Sequence, residues 1–368
     1  MQITAAVARA PGANFTLEAA ELDEPRADEI LVRIAAVGVC HTDLVARDGM
    51  MPFSMPAVLG HEGAGTVEKV GSAVTKVAPG DRVAITFRSC GACERCLRGD
   101  PAYCFTMPVL NYIGMRPDGS KAIRQDGVAV SSNFFGQSSF ATYALAYQRN
   151  VLKLPDDIPF EVAAPLGCGV QTGAGGIMLA LACPKGSSVL ITGGGAVGLS
   201  AVMGAAIQAC GTIIVVEPHA LRRDLARDLG ATHVIDPAAS PDLAAAVRAI
   251  LPQGVDYAFD TTGRPETLAA VMAALAPKGV FGIVGIPPAG TPMPGDLGAV
   301  LTFGQTVRGI IEGDSDPDAF LPILIDHWRA GRLPLERLIR TFPFGQINQA
   351  IDAQHQGECV KVVLTLGV

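Results

Sequence analysis

The chain has 368 residues, which at roughly 150 per domain predicts two domains and a sizeable buried core. Apolar residues make up 49% and charged residues 17%, a balance that excludes intrinsic disorder and predicts a folded, soluble protein. Lys and Arg number 28 against 35 Asp and Glu, a net charge of −7, so nucleic acid, whose affinity rests on neutralising phosphates, is not an expected partner.

Residues 1–10 lack the basic region and apolar run of a secretory signal, and a cytoplasmic location is expected. Residues 1–168 read as short strands broken by turn residues, for example 29–37, 63–70 and 82–87, and such texture predicts an antiparallel, barrel-like region. Within it, Cys90, Cys93, Cys96 and Cys104 stand two, two and seven residues apart, so one loop can present four thiolates to a tetrahedral ion. Zinc suits so soft and closed a set; an iron–sulfur cluster is the rival, although its usual spacings differ, and four unligated thiols would invite oxidation. Nine cysteines without a secretory signal fit a reducing compartment, where clustered thiols bind metals.

Residues 173–183 come nearest to a membrane span but fall short of the roughly 18 uninterrupted apolar residues one needs, so no membrane partner is expected. From residue 188 apolar strands alternate with Ala-, Leu- and Arg-rich helices: strands at 188–192, 212–217, 233–236, 255–260 and 280–285, helices at about 196–210, 220–229, 242–251 and 266–276. Repeated βα units of this length predict an α/β, doubly wound parallel sheet. Residues 287–294 read as a loop, and the tail holds a helix near 317–330 and a final strand at 361–366.

Gly193-Gly194-Gly195-Ala196-Val197-Gly198 follows the first of these strands and opens a helix, the context in which glycines let a backbone approach a pyrophosphate at a helix N-terminus. Glu217 ends the next strand about twenty residues on, where a carboxylate can bind ribose hydroxyls and repel a 2′-phosphate, so NAD is favoured over NADP. Arg222 and Arg223 could swing to such a phosphate and weaken that preference. Cys40, His61 and Cys168 could together give a Cys2His set with one position open, provided that they meet in space.

Taken together these motifs resemble the zinc-dependent medium-chain alcohol dehydrogenases over essentially the whole chain. Gly60-His61-Glu62-Gly63-Ala64-Gly65, with Gly71 and Val74 beyond it, is similar to the family's zinc signature, and Cys40, the Cys90–Cys104 lobe, Cys168 before Thr172, the glycine turn and Val284-Gly285-Ile286-Pro287 follow in the family's order. The resemblance implies a GroES-like catalytic domain at 1–168 holding both zinc sites, a Rossmann NAD-binding domain at 169–310 and a segment, 311–368, returning to the first domain. It implies two zinc ions, a catalytic one on Cys40, His61 and Cys168 and a structural one on the four clustered cysteines. Thr42 is the implied relay hydroxyl, Asp43 the carboxylate orienting His61, and Glu62 the carboxylate behind the zinc. Thr172, Gly193, Gly195, Ala196, Val197, Gly198, Glu217, Arg222, Val284 and Ile286 are implied cofactor contacts. Lys361, and His41 beside it in role, are the implied cations for the pyrophosphate.

Val45 stands where many members carry a relay His, a departure shared with the family's aryl-alcohol dehydrogenases, so the proton must leave by ribose and water or by His41. Similarity to bacterial benzyl-alcohol-type enzymes, with Phe53, Phe87, Met107 and Ile286 as an apolar set, implies an aromatic or allylic primary alcohol oxidised reversibly to its aldehyde. The alternatives are glutathione-dependent formaldehyde dehydrogenase, with Arg116, Lys121 or Arg124 as the cation for a glutathione carboxylate, and a non-catalytic zinc- and nucleotide-binding redox sensor. The resemblance implies a homodimer or homotetramer, the common states of the family, with a strand within 304–311 as the implied dimer contact.

Overall fold

The fold, taken from a computed structural model, is described for residues 1–367. The chain divides into two units: Met1–Cys168 with Asp316–Trp328 and Pro334 onward, and Gly169–Ser315 with Arg329–Leu333. Residues 311–315 thus join the second unit, where the resemblance puts them in the returning segment. The reason is local: Gln171 Nε2 donates to Glu312 Oε2 at 3.1 Å and Ser315 Oγ to Gln171 Oε1 at 2.8 Å.

The first unit is built on two mostly antiparallel sheets. One runs in the order Ala57–Val58, Gln2–Ala8, Phe15–Leu22, Ile123–Gln125, Val128–Val130. The other runs Val151–Lys153, Arg82–Ile85, Gly63–Val70, Glu29–Gly38, Lys361–Thr365, Ile339–Pro343, with Tyr143–Tyr147 also pairing Glu29–Gly38. Glu29–Gly38 is apolar nearly throughout and buried on both faces, as a central strand must be. The C-terminal strand does return here: Val363 pairs with Gly38 and Leu364 with Val37.

The second unit is a parallel six-stranded sheet in the order His233–Ile235, Thr212–Val216, Ser188–Thr192, Val255–Asp260, Leu275–Ile283, Thr306–Gly309. The chain reverses direction across the sheet between Ser188–Thr192 and Val255–Asp260, and ligands of such sheets bind at the carboxyl ends of the strands at that switch. Helices follow within a residue or two of expectation except near the ends, 196–210 stopping at Ile207 and 266–276 starting at Pro265 and ending at Ala274. Helices outside the expectation include Gly169–Gly175 and Leu297–Phe303; the latter, capped by Asp296 Oδ1 accepting from the Ala299 amide at 2.8 Å, buries no residue, so no apolar stripe marks it in the sequence. Thr306–Gly309, inside the implied dimer strand, lies at the sheet edge. Among the described residues no single helix is long and apolar enough to cross a membrane.

Candidate active site and metal centres

Four sulfurs meet at the tip of the first unit's cysteine loop. Cys93 Sγ lies 3.5 Å from Cys96 Sγ and 3.9 Å from Cys104 Sγ, and Cys90 Sγ lies 3.8 Å from Cys96 Sγ. Bonds of about 2.3 Å to a tetrahedral ion put sulfurs about 3.8 Å apart, so the donor set fits zinc. Amides point at the same atoms: Cys93 and Ala92 donate to Cys90 Sγ at 3.3 and 3.4 Å, and Cys90 donates to Cys104 Sγ at 3.3 Å. Amides of Cys96 and Phe105 draw the Cys93 thiol down to about 6. Burial among the other sulfurs pushes Cys96 up to about 12. Crowded thiols sharing protons in this way become four equivalent thiolates once a divalent cation replaces the protons. Met107, expected among the substrate-facing residues, packs with Cys104 and Leu110 under this lobe instead.

The second cluster joins residues 128 positions apart in the chain: Cys40, His61, Glu62 and Cys168 present ligand atoms all within 4.8 Å of one another. Asp43 organises two of them. Fully buried, it accepts from the Cys40 amide at 2.9 Å through Oδ2 and from the Gly60 amide at 3.0 Å through Oδ1. The same Oδ1 lies 2.8 Å from His61 Nδ1. With Nδ1–H donated to this carboxylate, Nε2 carries the ring's lone pair; it is buried with no hydrogen-bond partner of normal geometry and belongs to the cluster. The Cys40 thiol is held well below its ordinary value, chiefly by a hydrogen bond from Cys168 and further by His61 and Lys361. A low thiol, a second thiol and a lone pair converging on one point fit a zinc ion with three protein ligands and an open fourth position.

Glu62 sits behind that set, in space left by Gly38, whose Cβ would stand 1.9 Å from Glu62 Oε2. The resemblance offers Lys361 to a pyrophosphate, but its ammonium is buried, ion-paired with Glu62 and donating to the Val39 carbonyl at 3.0 Å. Thr42 lies in the first turn of the helix His41–Arg47, its Oγ1 3.8 Å from Cys40 Sγ; His41 is exposed on the same turn and Val45 is buried. Phe135 stacks on the His61 ring at 4.4 Å and Phe134 meets it edge-on at 5.4 Å. Phe53 and Tyr112 close on these two rings at 5.1 and 5.3 Å. The sequence carries no sign of this aromatic group, since Phe134-Phe135 stands 73 residues from His61 with no periodic signal; of its members only Phe53 belongs to the expected apolar set. Phe87 is buried in the same core, and Ile286 is exposed in the other unit.

The three cations considered for a glutathione carboxylate are all engaged. Arg116 binds Glu29 through Nε and Nη2 at 2.6 and 2.9 Å and Asp23 at 2.8 Å. Lys121 donates to Ser131 Oγ at 2.9 Å, and Arg124 to Asp23 at 2.6 Å.

In the second unit the glycine turn has the expected place, between Ser188–Thr192 and the helix Ala196–Ile207. Gly193 adopts φ +92°, and a Cβ on Gly198 would stand 1.8 Å from the Gly193 carbonyl, so both positions demand glycine. Gly195 caps the helix with open space where a Cβ would be, and Ala196 and Val197 form the helix's first turn, whose amides are free for an anion. Glu217 accepts from the Gly194 amide at 2.6 Å and from the His219 amide at 2.8 Å. Arg223 is committed to Asp236 at 2.9 Å and to the carbonyls of Glu217 and Pro218, while Arg222 stays half-buried on the same helix. Val284 and Gly285 donate to the Asp260 carbonyl at 3.0 Å each, holding 284–286 at the strand ends. Thr172 Oγ1 lies 3.3 Å from Glu312 Oε2.

Two family descriptions match the chain, alcohol dehydrogenase GroES-like domain over residues 26–156 and zinc-binding dehydrogenase over residues 196–326. It is 47% identical over 361 residues to a geraniol dehydrogenase of Castellaniella defragrans, covering 98% of this chain and 96% of that protein. It is 40% identical to the crystal structure of benzyl alcohol dehydrogenase from Acinetobacter calcoaceticus, with a TM-score of 0.95 and both chains fully covered. An alcohol dehydrogenase zinc-binding domain protein from Burkholderia ambifaria is 47% identical, with a TM-score of 0.96 over the whole of both chains.

Proposed function

Because the chain belongs to the zinc-dependent medium-chain alcohol dehydrogenase family, we propose that it oxidises a primary aromatic or allylic alcohol reversibly to its aldehyde, with NAD as hydride acceptor. The observation that carries the substrate class is the similarity, at 47% and 40% identity over nearly the whole chain, to a geraniol and a benzyl alcohol dehydrogenase; the rings of Phe53, Tyr112, Phe134 and Phe135, packed around His61, make its surroundings aromatic. The geraniol and benzyl alcohol dehydrogenases to which it is similar act, by name, on one allylic and one aromatic alcohol. The engagement of Arg116, Lys121 and Arg124 speaks against a glutathione adduct as substrate.

Zinc held by Cys40, His61 and Cys168 supplies a Lewis acid that makes a substrate hydroxyl acidic near neutral pH. Thr42, beside Cys40 Sγ, is placed to accept that proton. Val45 offers no acceptor further along the helix, so the proton would leave by the cofactor ribose and water or by the exposed His41. Glu217, its oxygens fixed by two amides, keeps lone pairs for ribose hydroxyls and repels a 2′-phosphate; Arg223, held by Asp236, does not offset that repulsion. This supports NAD.

The reading is tested by following NADH formation at 340 nm with geraniol, benzyl alcohol and S-hydroxymethylglutathione, each with NAD and with NADP. Higher kcat/KM for one of the two alcohols, and for NAD by about tenfold or more, is the expected result; a preference for the glutathione adduct overturns the substrate class, and a preference for NADP overturns the role of Glu217. Metal analysis is expected to find two zinc ions per chain, one for each cluster. A single ion would leave the Cys40 centre without its chemistry.

A further inference from the structure

His61 and Cys168 stand on segments 107 residues apart, and Asp43 secures only the first of them. Cys168 sits between a short 3-10 turn, Ala164–Gly167, and the helix Gly169–Gly175, with φ −146° and ψ −76° outside the helical range. One buried side chain bonds the first segment directly and reaches the second through Thr86. Gln137 Nε2 donates to the His61 carbonyl at 2.8 Å and to the Thr86 carbonyl at 3.3 Å. Its Oε1 accepts from the Gly63 amide at 3.0 Å and from Ser139 Oγ at 2.6 Å. The hydroxyl of Thr86, itself buried, then donates to the carbonyl of Gly167, the residue before Cys168, at 2.7 Å.

We propose that Gln137 and Thr86 are positioning residues of the Cys40–His61–Cys168 metal centre, joining its second and third ligands through one buried network; the proposal rests on reading that trio as a zinc site. Four hydrogen bonds use the whole donor and acceptor capacity of a primary amide. Glu at 137 would set a carboxylate against two carbonyls, and Asn would fall one methylene short. The segment carrying Gln137 is itself strained, with Asn133, Phe135 and Ser138 at φ 65°, 52° and 66°. Left-handed non-glycine residues persist where the surroundings over-determine them, and here the same segment lays Phe135 on the His61 ring.

The test compares holoenzyme with Gln137→Leu, Thr86→Val and Thr86→Ser, each dialysed against graded zinc buffers and then counted for metal. The four-cysteine lobe, which touches neither residue's hydrogen bonds, is the internal reference. Gln137→Leu and Thr86→Val are expected to weaken retention of one ion by about 10- to 100-fold, the range for lost ligand-orienting partners. The second ion stays, Thr86→Ser restores the first, and the thiolate-to-metal absorption of the cobalt-loaded protein shifts in both weakened variants. Wild-type affinity and an unshifted cobalt spectrum would overturn the proposal, as would loss of both ions in step, which marks a general folding defect. Unsubstituted protein that holds only the four-cysteine ion would instead overturn the underlying reading of the trio.

Discussion

Cys40→Ser is expected to lower turnover by about a thousandfold or more while the fold and the four-cysteine ion survive. A serine hydroxyl at neutral pH is a poor zinc ligand, and only His61 and Cys168 would remain of the trio. Lewis-acid stabilisation is worth several kcal/mol in the transition state, and each 1.36 kcal/mol is a factor of ten, so a loss of about 4 kcal/mol gives that magnitude. Survival of the fold follows from how Cys40 is held: its backbone amide donates to Asp43 Oδ2 at 2.9 Å at the start of the helix His41–Arg47, a bond that serine keeps. Turnover, zinc content, thermal unfolding and NADH binding measured on one preparation would separate these effects. Turnover near that of the unsubstituted enzyme with one ion per chain would sink the catalytic assignment of the centre.

Arg116→Met is expected to destabilise the first unit by about 3–5 kcal/mol, the usual cost of leaving a buried charge without its partner. Arg116 is 2% exposed and Glu29 1%, so water screens the pair little, and their two-pronged contact is further joined by Tyr147 Oη, 3.1 Å from Glu29 Oε1. Burial alone would lower the guanidinium's pKa, yet the bonds to Glu29 and Asp23 raise it, so the charge is present at every working pH. At about 2–4 °C per kcal/mol for a unit of this size, calorimetry should show its transition about 10 °C or more lower. Residual activity towards benzyl alcohol, assayed well below that transition, should be close to unsubstituted. If Arg116 instead received a substrate carboxylate, the variant would unfold normally and lose activity towards S-hydroxymethylglutathione alone.

The contrast between Arg116 and the four cysteines shows which features a sequence carries. Cys90, Cys93, Cys96 and Cys104 lie within one loop, so their spacing already bounds their separation. The glycine turn and the βα repeats are legible for the same reason, since strand, turn and helix are neighbours in the chain. The helix Leu297–Phe303 was not, because it buries nothing and a stripe pattern exists only where one face is buried. Arg116 read as an available cation because nothing within ten residues of it announces Glu29, 87 positions away.

Short motifs and local periodicity suffice for the family, the two donor sets, the parallel sheet of the second unit and the return of the last strand to the first unit. Folding in three dimensions pairs Lys361 with Glu62 and Arg223 with Asp236, packs Met107 beneath the cysteine lobe, and brings Phe134, Phe135 and Gln137 around His61. Charges and amides of that kind are partnered wherever burial leaves them no water, and which partner they meet depends on segments that folding brings together across dozens of residues.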